Sequence, residues 1–129
     1  MIIDSSAIIA ILFQEPERAA FQERISGSGT ARISAATLVE ITAVLASRSR
    51  ELEHVADQLI TDSDVAVEPL TEARAEIARD AYRRYGRGSG HPARLNLGDC
   101  FSYALAKDLD LPLLYKGDDF SHTDVRSAL

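Results

Sequence analysis

The sequence holds one cysteine, no tryptophan and no long unbroken apolar run. A lone Cys100 rules out an internal disulfide and suits a reducing compartment. The most apolar stretch near the start, MIIDSSAIIAILF, is broken by Asp4, Ser5 and Ser6. It is too short to cross a bilayer and has no basic opening like that of a signal peptide. The expectation is a cytoplasmic protein with no membrane partner. An excess of basic residues is also missing: 14 Lys and Arg stand against 20 Asp and Glu, for a net charge of −6. Phosphate contacts need Lys and Arg, so a nucleic-acid role would rest on a local basic patch or on cations recruited by the acids. No Gly-x-Ser-x-Gly elbow, Gly-Lys-Ser/Thr phosphate loop or Cys/His cluster is present. With 129 residues and no linker, the chain reads as one domain over 1–129 with one real core.

What is present is an alternation of short apolar runs with helical segments. MIID, TARISA, VAVEPL and LPLLYKG read as strands, with a short fifth expected around Val125. Between them lie helices beginning near Ser6, Ala36, Glu51, Glu72 and Gly98, and another with Pro16 just inside its start. Thr71 reads as an N-cap without a capping box, because Arg74 stands at the third position. Gly86 suits a helix end. This order predicts an α/β fold: a parallel sheet of four to five strands with helices on both faces. Ligands of such sheets bind beyond the carboxyl ends of the strands.

Acids gather at that edge. Asp4 ends the first strand and Asp118 the fourth, with Asp119 beside it. Asp99, in LNLGDCF, lies in the first turn of the helix that leads to strand four. Each has a plain structural use: Asp4 as a cap for the following helix, Asp99 as a partner of the helix dipole, Asp118 and Asp119 as turn residues. Glu40 is harder to explain, because it sits in the most apolar helix of the chain and needs a partner there, a cation or an arginine. Several carboxylates aimed at one spot call for a hard cation, and magnesium takes oxygen ligands. YRRYGRGSGHPAR supplies local basic character: Arg83, Arg84, Arg87 and Arg94 beside Tyr82 and Tyr85 suit a single strand with stacked bases.

MIIDSSAIIAIL, Glu40 within AATLVEITAVL, GSGHPARLNLGDCFSYALAK and LLYKGDDF together resemble the PIN domain, specifically the VapC-type toxins of type II toxin–antitoxin pairs. The resemblance runs from Met1 into the C-terminal tail. It implies a magnesium-dependent endoribonuclease, with manganese able to substitute. It also implies a catalytic set of Asp4, Glu40, Asp99, Asp118 and Ser6, with Asp4, Asp99 and Asp118 on the metal. Arg83, Arg84, Arg87, Arg94 and Lys116 are the expected RNA contacts. The implied partners are an RNA substrate, a second copy of the chain, a VapB-type antitoxin lying near Ile8 to Phe21, and operator DNA through that antitoxin alone. The alternative is a catalytically silent module that only joins the antitoxin in operon repression. A haloacid-dehalogenase-type phosphatase is disfavoured because Ser6 stands where its second acid belongs. A receiver-like domain would want paired acids after strand one.

Overall fold

Consecutive apolar residues in the strands, Ile2–Ile3 and Leu113–Leu114, call for a sheet covered on both faces, and the computed structural model, which describes Met1–Leu129, has that architecture. The chain runs β1 (Ile2–Ile3), α1 (Ser5–Leu12), α2 (Arg18–Ser26), β2 (Arg32–Ser34), α3 (Ala35–Ala46), α4 (Arg50–Asp62), β3 (Ala66–Glu68), α5 (Glu72–Tyr85), α6 (Leu97–Leu109), β4 (Leu113–Leu114) and a closing 3-10 turn (Asp119–His122). The four strands are parallel, in the order β3-β2-β1-β4.

Successive strand residues point to opposite faces. Ile3, Ile33 and Leu114 therefore join one core, built with α1 to α4, while Ile2 and Leu113 join another, built with α5 and α6. All five are fully buried. Burial on both sides is why these strands read as continuous apolar runs rather than alternating ones.

The structure revises several boundaries. The expected fifth strand is only a single bridge: the Leu113 amide donates to the Arg126 carbonyl at 2.8 Å, and the Ala128 amide donates to the Leu113 carbonyl at 2.9 Å. Pro16 lies before α2 rather than inside it, and Glu17, at the cap position, gives no cap hydrogen bond. Its carboxylate is engaged by Lys116 instead, at 3.2 Å. Gly86 ends α5 in an extended conformation, not a left-handed one. Glycine is needed there for close approach, since a Cβ would strike the Tyr82 carbonyl and ring. Arg74 accounts for the missing capping box. Thr71 Oγ1 still accepts from its amide at 3.2 Å, while the buried guanidinium donates to Asp108, Glu68 and the Pro69 carbonyl, tying β3 to α6.

A sheet buried on both faces makes a specific prediction. Leu113→Ala and Leu114→Ala should each lower unfolding stability by about 2–5 kcal/mol. Denaturant titration checks this; one large loss beside one near-zero loss would mean that a face of β4 is wet.

Candidate active site

The β1–α1 junction is built by Asp4. It is 1% exposed, and its amide donates to the Leu114 carbonyl at 2.9 Å, which sets the carboxylate at the carboxyl end of the sheet. Oδ2 accepts from the Ser6 amide at 3.0 Å and from Ser6 Oγ at 2.6 Å, so Asp4 does cap α1. Ser6 Oγ in turn accepts from the Lys116 amide at 3.0 Å, joining the ends of β1 and β4. Capping uses only half of the carboxylate: Asp4 Oδ1 is buried and meets no donor.

Glu40 arrives from α3. Its partner is neither lysine nor arginine but a hydroxyl: Ser5 Oγ donates to Oε1 at 3.0 Å. Oε2 is buried without a partner. Burial pushes the Glu40 carboxyl up, and the nearby charge of Asp4 adds to the effect, against the Ser5 hydrogen bond. Room for the Glu40 carboxylate comes from Gly98, because a Cβ at that position would overlap it.

Asp99 stands at the third position of α6. Its amide donates to Asn96 Oδ1 at 2.8 Å and its Oδ2 accepts from the Asn96 amide at 2.8 Å, a complete capping box. Burial raises the Asp99 carboxyl to about 7, against the Asn96 hydrogen bond, with Asp4, Glu40 and Asp119 adding to the rise. Unlike a simple cap, this group sits among like charges.

Asp4, Glu40, Asp99 and Asp119 line one cavity of about 280 Å³, together with Ser5, Ser6, Asn96 and Lys116. Asp118 does not join them. Its side chain is 83% exposed and accepts from Ser121 Oγ at 2.6 Å, with His122 Nε2 at 3.0 Å. Those contacts, Ser121 first, lower the Asp118 carboxyl. The turn after Gly117 thus points Asp118 to solvent and brings Asp119 to the cavity. No three Asp, Glu, His or Cys side chains converge at ready-made metal-ligand spacing. The donor set nevertheless fits a hard cation: every acid offers oxygen, and two buried oxygens lack any other partner.

Lys116 is the one cation on the cavity wall. Its amine is held by Glu15 and Glu17, which keep it charged, Glu15 first. Arg83, Arg84, Arg87 and Arg94 are all exposed. Of these, Arg84 is engaged: it pairs with Asp80 at 3.5 Å and stacks 4.8 Å from the Tyr85 ring centre. Tyr85 is buried against His91 and Tyr103, leaving Tyr82 as the accessible aromatic of that patch.

Sequence reasoning passed over Ser5, Asn96 and the spatial role of Gly98. The Asn-x-x-Asp spacing before an apolar run marks a capping box and would have found Asn96. Nothing local marks Ser5 as the partner of a residue 35 positions away.

The PIN domain family matches residues 1–126. The chain is 51% identical over its full length to VapC ribonuclease Mb0625 of Mycobacterium bovis and to Ribonuclease VapC28 of Mycobacterium tuberculosis, covering 98% of each. It is 48% identical to Ribonuclease VapC42 of M. tuberculosis over 99% of this chain and 98% of that one. In fold it resembles the crystal structure of M. tuberculosis VapC20, a sarcin-ricin loop cleaving toxin, with a TM-score of 0.75 and 19% identity over 96% of this chain and 95% of that one. A likeness this deep along the whole length leaves one conclusion: the chain belongs to the PIN-domain family, as a ribonuclease of the VapC type.

Proposed function

We propose that the protein is a magnesium-dependent endoribonuclease, manganese substituting, that acts as the toxin of a toxin–antitoxin pair in the cytoplasm. The pair of buried, partnerless oxygens, Asp4 Oδ1 and Glu40 Oε2, carries this reading. A carboxylate oxygen removed from water without a donor is costly, and a cation offsets that cost. Bound there, the ion would supply an activated water and charge neutralisation at the scissile phosphate. Asp4 and Asp99 are the residues proposed to hold it, with Asp119 on the same wall. Glu40, its carboxyl already raised by burial, orients the attacking water and receives its proton. Ser6 fixes Asp4, and Asp118 braces the turn that presents Asp119. The exposed Arg83, Arg87 and Arg94 contact the RNA backbone, with Lys116 at the mouth.

An antitoxin and a second copy of the chain are the proposed partners, with operator DNA reached through the antitoxin. The region expected to meet the antitoxin is only partly at the surface, because Ile8 and Phe21 are buried in the core. What lies open beside them is a groove of about 310 Å³ among α1, α2 and α4, lined by Ile11, Leu12, Leu52 and Leu59. An antitoxin helix fits this groove, and an antitoxin arginine would complement the acidic cavity.

Purified protein should cut single-stranded RNA in magnesium or manganese and stop in EDTA, read on a labelled oligomer. Equal cutting in EDTA would refute the metal mechanism, and no cutting under any condition would favour the silent module.

Asp99→Asn should separate the roles of that residue. Burial lifts the folded carboxyl well above the usual carboxylate range, to about 7, so the folded state binds the proton more tightly. In EDTA the parent's contribution from Asp99 is full below about pH 4 and is lost as pH rises towards 7. The variant should lack that decline and be the more stable protein above pH 7, gain little from magnesium, and not cut RNA. Thermal unfolding across pH, with and without magnesium, checks this.

Gly98→Ala offers the opposite pairing of effects. Alanine suits the first turn of α6 at least as well as glycine, yet its methyl group displaces the Glu40 carboxylate, the free end of a flexible side chain. Stability should hold or rise while cleavage falls by about a hundredfold. Paired melting and cleavage rates would test it.

A further inference from the structure

Outside the acidic cavity, an apolar cleft of about 350 Å³ lies between α5 and α6. Tyr82, Leu97 and Phe101 form its floor and walls, and Arg79 and Arg83 stand at its rim. Leu97 is 65% exposed and Tyr82 43%, unusual for large apolar residues beside a cluster of acids. Arg79 is paired with Glu76, whereas Arg83, one turn on, has no carboxylate partner. Tyr82 lies down over the end of α5, because Gly86 leaves space for its ring.

The cleft and the proposed active site lie on either side of a single helical turn. Asn96 and Asp99 face the acidic cavity, while Leu97 and Phe101, spaced by four residues on α6, face the cleft. The first turn of α6 is thus a wall with catalytic acids on one side and an apolar slot on the other. The wall is about one helix diameter thick, on the order of 10 Å.

We propose that this cleft seats a nucleobase of the RNA strand, adjacent to the nucleotide whose phosphate lies in the acidic cavity. This rests on the ribonuclease reading above and extends it to a subsite. A base presents a flat apolar face joined to a negative phosphate. The cleft offers the complement: an aromatic ring and aliphatic walls for the base, and an unpaired guanidinium at the rim for its phosphate. Stacking of this kind is indifferent to which base is bound, and the cleft supplies no buried polar group that would read one. The subsite therefore grips a splayed-out, single-stranded base and leaves duplex RNA unbound.

The test is fluorescence anisotropy in EDTA, with a labelled single-stranded RNA oligomer and an abasic ribose-phosphate oligomer of the same length. Tyr82→Ala combined with Leu97→Ser should weaken binding of the intact oligomer about tenfold and leave the abasic one unchanged. Tyr82→Phe should bind like the parent. Arg83→Gln should weaken both oligomers and lower the salt slope by about one. The proposal is overturned if the double variant binds intact RNA as the parent does, or loses the same factor on both oligomers. It is also overturned if sedimentation shows the double variant losing a dimer that the parent forms, in which case a second copy covers the cleft. Base-dependent binding without magnesium-dependent cleavage would sink the nuclease reading alone; cleavage without base-dependent binding would sink the subsite alone.

Discussion

The structure turns on a carboxylate that the fold half satisfies. Asp4 is almost wholly buried, one oxygen holding α1 and the other meeting no donor. The satisfied half is structural: through Ser6 it links the start of α1 to the chain leaving β4, so the ends of β1 and β4 share one hydroxyl. The unsatisfied half is a destabilising term that the rest of the domain must carry. Two apolar layers, packed on opposite faces of a sheet only a few residues wide, provide that support.

The remaining acids are held by devices that constrain position more than they add stability. Glu40 and Asp99 come from helices that lie in contact, α3 and α6. Thr37 and Ser102 place their hydroxyls 3.3 Å apart within that contact. Gly98 removes the one methyl group that would push Glu40 away, and Asn96 fixes where α6 begins, hence where Asp99 points. A shift of either helix would move an acid. The site is therefore coupled to helix packing rather than to a mobile loop.

The fold was legible because its strands carry a two-faced apolar signal and its helices a one-faced signal, and both survive in sequence order. The cavity was legible in its dominant acids, since Asp4 follows a strand and Glu40 stands out in an apolar helix. The choice between Asp118 and Asp119 was not. Adjacent residues in a turn differ only by a rotation, which Ser121 and His122 decide by binding Asp118. Nor did composition reveal that Tyr85 is core and Tyr82 surface; helical phase against α6 separates them.

The C-terminal tail has a meaning beyond its single bridge. A parallel sheet this small has two borders, and each is a row of unpaired backbone groups that invites another strand. On the β4 side, Arg126 to Ala128 occupy the Leu113 groups and close that border. On the β3 side the strand is three residues long, Glu68 is tied sideways to Arg32 and Arg74, and Pro69 follows at once, with no amide hydrogen to offer. One border is sealed by the chain's own end and the other is cut short. Neither border offers a long, open row of backbone groups to an added strand.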